Sequence, residues 1–107
     1  MNEETKLVKA ILSALKYDRA VLALRINSGM RVGSRAFRGA PAGTSDIMAS
    51  VAGRFCALEV KVGKGKLSPI QEAFMAQVRA TGGFGCGVWS VDEAMAAVAR
   101  CKAGGAE

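Results

Sequence analysis

The stretch DIMASVAGRFCALEVKV, residues 46–62, decides the fold because it holds two short apolar runs on either side of Ala52-Gly53. Two such runs around a short turn predict a β-hairpin, with strands over residues 46–51 and 54–62. If Ala52 and Gly53 are the turn residues, Val51 pairs with Arg54, and counting outward brings Asp46 opposite Glu59. The hairpin therefore predicts a pair of carboxylates on neighbouring strands.

The second strand adds a lysine to this pair. Side chains alternate between the two faces of a strand, so Glu59 and Lys61 share one face. Directly opposed Cβ atoms of an antiparallel pair are roughly 5 Å apart, and two carboxylates that close repel each other. A hard divalent cation such as Mg²⁺ or Mn²⁺ would relieve that repulsion. The alternative is that these charged residues form an ordinary solvated face of the strand. The prediction also depends on the register of the hairpin, because a shift of one residue would move Asp46 to the other face.

Elements on the N-terminal side are an amphipathic helix, a strand and a long loop. Leu7, Ile11 and Leu15 recur at four-residue spacing, with Ala10 and Ala14 beside them, and predict a helix over residues 3–17. Apolar alternation predicts a strand over residues 21–27. Residues 28–44 are rich in glycine and predict a long loop, and such loops in a compact domain are usually functional or mobile.

Capping signals mark the elements on the C-terminal side. Ser68-Pro69-Ile70-Gln71 is a capping box with proline at the first helical position, and the helix that it opens ends near Gly82-Gly83. Residues 84–89 form a strand, and Ser90 with Glu93 opens a last helix that runs to about Lys102. The order of helix, three strands, helix, strand and helix predicts one α/β domain over residues 1–107, with a mixed sheet flanked by helices and a flexible tail from about residue 104.

Composition excludes several kinds of chemistry. The chain has no histidine, which rules out catalytic triads with a histidine base, histidine-ligated metals and HNH-type nucleases. Three widely spaced cysteines give neither a disulfide framework nor a zinc ribbon. We read no signal peptide and no run of 18 apolar residues, and we therefore expect a cytoplasmic protein without a membrane span.

Basic residues favour an acidic partner such as nucleic acid, an anionic membrane or another acidic surface. The net charge is +6, and no acidic residue separates Asp18 from Asp46 whereas five arginines do. A turn over residues 63–66 adds two lysines. Phosphate contact explains this clustering, and a merely solvated surface is the alternative. The side chains expected to contact nucleic acid are Arg25, Asn27, Arg31, Arg35, Arg38, Lys64, Lys66 and Ser68.

Four segments together resemble a known family. They are Arg25-Ile26-Asn27-Ser28-Gly29, Gly43-Thr44-Ser45-Asp46, Ala57-Leu58-Glu59-Val60-Lys61 and Gly65-Lys66-Leu67-Ser68-Pro69-Ile70-Gln71. The chain resembles the stand-alone VRR-NUC domains of phages and bacteria, within the PD-(D/E)XK nuclease superfamily, over roughly residues 4–93. One departure is Ser45, where the name of the motif has proline.

The resemblance implies a restriction-endonuclease-like αβββαβ core, here with an extra C-terminal helix, and a role for each matching residue. Asp46, Glu59 and the backbone carbonyl of Val60 would bind the metal, and Lys61 would be the catalytic lysine. The remaining two matches are Gln71, facing the site, and Glu4, approaching the metal. From the residues alone, Gln71 is equally explained as a helix cap, and Glu4 as a complement to the helix dipole.

These expectations combine into one function and two alternatives. The predicted function is a divalent-metal-dependent endonuclease that hydrolyses DNA phosphodiesters, acting as a homodimer on branched DNA such as four-way junctions, in a bacterial or phage-infected cell. The first alternative is a non-catalytic nucleic-acid-binding module on the same fold. The second is a basic protein-interaction subunit with an ordinary ion-paired strand.

Overall fold

Helices and strands follow one another in the predicted order in the computed structural model, which describes residues 2–26 and 42–106. Within these residues there are three helices and four strands, so the α/β class is confirmed. The elements are α1 (Glu3–Leu15), β1 (Val21–Arg25), β2 (Ile47–Val51), β3 (Arg54–Val60), α2 (Pro69–Ala80), β4 (Phe84–Val88) and α3 (Val91–Lys102).

The four strands form one mixed sheet in the order β1-β2-β3-β4. β1 and β3 each pair antiparallel with β2, whereas β4 pairs parallel with β3. A parallel pair needs a crossover connection, and α2 supplies it between β3 and β4. Ser68 caps α2 with the predicted capping box, and the side chain of Ser90 caps α3 by accepting from the backbone N–H of Glu93.

The hairpin has the predicted register. Val51 pairs with Arg54, and Ile47 pairs with Leu58 at the other end of the ladder. Ala52 and Gly53 both have positive φ, 50° and 85°, as the favoured two-residue hairpin turn requires. Asp46 directly precedes Ile47, which places it beside Glu59 one step beyond the last pair.

The two faces of the sheet have different coverings. Cys56, Leu58 and Val60 point to the main core, where they meet buried residues of α1 and α3. On the other face, Ala57 packs against Met75 and Val78 of α2. By the alternation of the strand, Glu59 belongs to this second face and lies on the side that α2 covers.

Helix α1 and the ends of the strands differ from the sequence prediction. α1 ends at Leu15, two residues early, and its buried face uses Val8 rather than Ala10, because a helix turn of 3.6 residues places position 8 beside positions 11 and 15. β3 ends at Val60, although the N–H of the next residue still bonds to β4. No helix in the described ranges is long and apolar enough to cross a bilayer.

β1 is shorter than predicted and exposes its larger apolar residues. It ends at Arg25, and Asn27 lies outside the described residues. Leu22 and Leu24 are 67% and 57% exposed, whereas Ala23 packs against the core. The main core lies on the face of the sheet that α1 and α3 cover, and Ala23 points to that face. The alternation of apolar residues in the sequence therefore predicted the strand correctly, but it did not show which face of the strand is buried.

Candidate active site

Asp46 closes the end of the sheet with both its backbone and its side chain. Its carbonyl accepts from the N–H of Ile26 at 2.8 Å, and its Oδ2 accepts from the N–H of Val60 at 2.8 Å. The carboxylate thus receives a bond from β3 where the backbone ladder between β2 and β3 ends. These two bonds fix Asp46 between the ends of β1 and β3.

Glu59 is a carboxyl group inside the protein, only 3% exposed. Burial is the main cause that raises its pKa, to about 8. The nearby carboxyl group of Asp46 raises the pKa further, whereas the positive charge of Lys61 lowers it. The two carboxyl groups therefore lie close enough for Asp46 to disfavour ionisation of Glu59.

The two oxygens of Glu59 have different surroundings. Oε2 accepts a hydrogen bond from Nε2 of Gln71 at 3.2 Å. Oε1 is buried and has no hydrogen-bond partner among the described residues. Buried polar atoms in folded proteins are nearly always satisfied, so an orphaned carboxylate oxygen calls for an explanation. A proton or a cation at Oε1 would supply one.

Gln71 combines the two roles that the sequence left open. Its Oε1 accepts from the backbone N–H of Ser68 at 2.8 Å, and its backbone N–H donates to Oγ of Ser68 at 3.3 Å, which completes the capping box. The amide nitrogen that remains donates to Glu59. One side chain therefore begins α2 and also holds the carboxylate.

Lys61 follows directly on the last residue of β3. Its backbone N–H donates to the carbonyl of Val88 at 3.0 Å, so the parallel ladder continues for one more residue. A Cβ added to Gly65 would lie 3.7 Å from Cδ of Lys61, which shows that the lysine stem runs along the turn over residues 63–66. The charge of Lys61 affects Glu59 directly, as the pKa of Glu59 indicates.

The donor set fits a hard divalent cation. Asp46 and Glu59 offer carboxylate oxygens, and the carbonyl of Val60 points to the same side of β3 as its N–H, which meets Asp46. Within residues 2–26 and 42–106, no three Cys, Asp or Glu side chains cluster closely enough to hold a metal together. Mg²⁺ is compatible with two carboxylates because it commonly keeps several waters and binds substrate phosphate.

Glu4 does not join the two carboxylates in a three-carboxylate cluster among the described residues. It lies in the first turn of α1, where acidic side chains complement the helix dipole. Its charge contributes to the raised pKa of Glu59, although as the smallest cause. Glu4 therefore stays a predicted outer member of the site.

The predicted nucleic-acid contacts divide into described and undescribed positions. Lys64 and Lys66 are exposed on the turn that leads from β3 to α2, and Arg25 is exposed at the end of β1. Ser68 is partly buried as the N-cap of α2. Asn27, Arg31, Arg35, Arg38 and most of the predicted loop over residues 28–44 lie outside the described residues.

Ser45 and Gly43 bring the start of β2 against α2. Ser45 is fully buried, and its hydroxyl donates to the carbonyl of Ile47 at 3.0 Å, so serine is well accommodated at the position where the motif name has proline. Gly43 has φ +91°, and a Cβ there would lie 2.8 Å from Cγ1 of Ile70 and 2.9 Å from its carbonyl oxygen. Glycine is therefore required for this close approach.

From the sequence, Trp89 is ambiguous between a core residue and an interface residue, and in the structure it lies directly after β4, next to the turn that follows Lys61. Its Nε1 donates to the carbonyl of Gly65 at 2.8 Å, across 24 positions of sequence. A Cβ on Gly87 would lie 2.6 Å from Cδ1 of Leu67 and 3.0 Å from the indole ring, so this glycine makes room for both side chains. Gly85 and Gly87, which alternate along β4, were the signal in the sequence that large side chains pack against this strand.

Comparison with known proteins does not identify a family: no family model and no curated protein matches the chain.

Proposed function

We propose that this chain is a divalent-metal-dependent endonuclease that hydrolyses DNA phosphodiester bonds, a VRR-NUC domain on a restriction-endonuclease-like αβββαβ core. The observation that carries the proposal is Glu59, a buried carboxyl group beside Asp46 with one oxygen lacking a partner among the described residues. Repulsion between two acids in this position lowers the stability of the fold. A bound cation would relieve this repulsion, and the relief would contribute to the affinity for the cation.

Each residue has a role that follows from its place. Asp46, Glu59 and the carbonyl of Val60 would hold Mg²⁺ or Mn²⁺. When bound, the ion would polarise the phosphodiester and favour ionisation of a water molecule. Gln71 orients the Glu59 carboxylate, and Lys61 places a positive charge beside it, where negative charge develops on the transferred phosphate.

Charge distribution supports a nucleic-acid substrate. Lys64 and Lys66 are exposed on the turn that follows Lys61 by a few residues, and the chain carries a net charge of +6. A polyanion placed over this turn would bring a phosphate towards the carboxylates. We extend the proposal, by resemblance, to branched DNA such as four-way junctions and to a bacterial or phage-infected cytoplasm.

A homodimer is the assembly that we propose. Two symmetric cuts in a branched substrate require two sites, and residues 2–26 and 42–106 offer one. Leu22, Leu24 and Phe55 are exposed on β1 and β3, and a second copy of the chain would cover this apolar surface. Sedimentation equilibrium tests the assembly: a mass of one chain at micromolar concentration would remove the dimer from the proposal and leave the site unaffected.

The test of the activity is a cleavage assay on four-way junctions, flaps and linear duplexes, with Mg²⁺, Mn²⁺ or EDTA. Cutting should require the metal and should be abolished in Asp46→Asn and Lys61→Ala. Asp92→Asn and Lys9→Ala remove the same charges on α3 and α1 and should cut normally. A folded wild-type chain that binds these DNAs but cuts none of them with either metal would refute the enzyme.

A non-catalytic nucleic-acid-binding module on the same fold is the second candidate. It is favoured by the raised pKa of Glu59, because a protonated Glu59 beside Asp46 needs no ion to relieve the repulsion. In that case, DNA binding would be the same in Mg²⁺ and in EDTA, and Glu59→Gln would bind DNA as well as the wild type.

A further inference from the structure

Trp89 lies beside the catalytic lysine on the same face of the sheet. Glu59 pairs with Gly87 and Val60 with Val88 in the parallel ladder, and the bond from the N–H of Lys61 to Val88 extends that register. Trp89 is therefore the lateral neighbour of Lys61, and adjacent strands are roughly 4.8 Å apart. The backbone of Trp89 therefore lies about one strand spacing from the backbone of Lys61.

The indole is fixed in place and partly open. Nε1 bonds to the carbonyl of Gly65, and the backbone N–H of Trp89 donates to the carboxylate of Glu93 at 3.0 Å. Gly87 leaves room for the ring where any larger residue would collide with it. Despite these contacts, Trp89 is 37% exposed. An aromatic side chain that is both immobilised and exposed loses little conformational entropy when a ligand stacks on it.

A groove runs along the indole. It has a volume of about 410 Å³, and Leu67, Gly87 and Trp89 line it together with Lys66. Arg79 and Glu72 of α2 line it too. This volume lies within the range of sites for small organic groups, roughly 300–1,000 Å³, so a nucleobase with its sugar fits. The apolar wall suits a base, and Lys66 at the rim suits its phosphate.

We propose that Trp89 is a stacking platform for an unpaired base of the nucleic acid, next to the cleavage site. Stacking on an aromatic ring beside a basic turn is how proteins bind single-stranded segments without reading their sequence. A base within an intact duplex is stacked on its neighbours and is not available to the indole. The preferred ligand is therefore a strand with unpaired nucleotides, such as a flap, a tail or an open junction.

This inference rests on the proposed function, because it takes the site beside Trp89 to be a nuclease site, but its test does not require DNA cleavage. Trp89 is the one tryptophan of the chain, so its fluorescence reports on the groove alone. In EDTA, a duplex with a single-stranded oligo-dT tail should quench the emission to saturation. A blunt duplex of equal nucleotide number should bind with little quenching. Equal quenching by both would overturn the proposal.

Two substitutions separate stacking from the structural bond to Gly65. Trp89→Leu removes the ring and should weaken binding of a labelled tailed duplex about 5- to 150-fold, the range for stacking one base. Trp89→Phe removes the Nε1 donor but keeps a ring, and it should stay within about threefold of the wild type. Equal losses in the two variants would show that the bond to Gly65 matters and that stacking does not.

The remaining controls distinguish the possible failures. Tyr17→Leu removes another exposed aromatic, at the far end of the sheet from the site, and should leave binding unchanged. Circular dichroism verifies that each variant is folded. Quenching by tailed DNA in a chain that never cuts would support the platform and refute the nuclease. Metal-dependent cutting with normal affinity in Trp89→Leu would refute the platform alone.

Discussion

Nε2 of Gln71 donates to Oε2 of Glu59 at 3.2 Å, so the residue that closes the capping box of α2 also holds a buried carboxylate of β3. The bond ties the position of the helix to the position of the acid. A residue that fulfils both tasks couples helix stability to the geometry of the site, and the two effects can be measured separately.

Gln71→Ala should impair both functions. Ser68→Ala should impair the cap and leave the donor of Glu59 in place, so its cleavage rate at saturating DNA, where a contact of Ser68 with nucleic acid no longer limits binding, should be normal. Each variant breaks the capping box and should lower the unfolding free energy by about 0.5–2 kcal/mol. Gln71→Ala also leaves Oε2 of Glu59 without its donor, and it should reduce metal-dependent cleavage about 10- to 100-fold, as loss of a supporting hydrogen bond does at metal sites. Urea unfolding and initial cleavage rates test this pair. Equal activity in both variants would show that Gln71 is only a cap.

Glu59→Gln should change how stability depends on pH in the metal-free protein. The pKa of Glu59 is raised from 4.5 to about 8, so between these values the folded state holds a proton that the unfolded state has lost. Its contribution is present in full below pH 4.5 and is lost as the pH rises through 8, a change on the order of 4 kcal/mol. Glutamine does not titrate and should remove this loss.

The measurement is urea unfolding in EDTA at pH 5 and pH 9. Wild type should lose stability relative to Glu59→Gln between the two pH values. Glu72→Gln, a matched change at an exposed position of α2, should follow the wild type. If the wild type and Glu59→Gln respond to pH alike, the carboxyl of Glu59 is not perturbed.

The hairpin and its carboxylates were predictable from the sequence because they depend on local rules. A turn that accepts positive φ at Ala52 and Gly53 fixes which residues face each other, and alternation then places Glu59 and Lys61 on one face. The capping box of Ser68 and Gln71 is equally local. These elements use contacts within a few residues or across one turn.

What the sequence left undetermined depends on packing between distant elements. The bond from Trp89 to Gly65 follows from how β4 lies beside β3, and the exposure of Leu22 follows from which face of the sheet α1 and α3 cover. The burial of Glu59 depends likewise on α2. The alternation of apolar and polar residues along a strand indicates that its two faces differ, but it does not indicate which face a later helix will cover.

Asp46→Asn should abolish stabilisation by metal without unfolding the protein. An asparagine oxygen can still accept from the N–H of Val60, so the sheet end is retained, but one of the two charges that attract the ion is gone. A ligand at 100 times its dissociation constant stabilises the native state by about 2.7 kcal/mol. Thermal unfolding with Mg²⁺ or Mn²⁺ should show this gain in the wild type and in Asp92→Asn, but not in Asp46→Asn. If neither metal changes the melting temperature of the wild type, the proposed metal site is wrong.

Lys64 and Lys66 should contribute to DNA binding through phosphate contacts. The slope of log affinity against log salt concentration changes by about 0.9 for each phosphate contact on duplex DNA. Replacing both lysines by glutamine should therefore reduce its magnitude by about 1.8 if each one contacts a phosphate. Lys9 of α1 and Lys16, the C-cap of that helix, are both exposed. Because α1 packs on the opposite face of the sheet, the same double replacement there removes equal charge away from the site. Fluorescence anisotropy of a labelled duplex in EDTA, from low to moderate salt, measures both slopes. If the two double variants show the same slope, the net charge of the protein determines binding, and the turn over residues 63–66 does not contact the phosphates of the DNA.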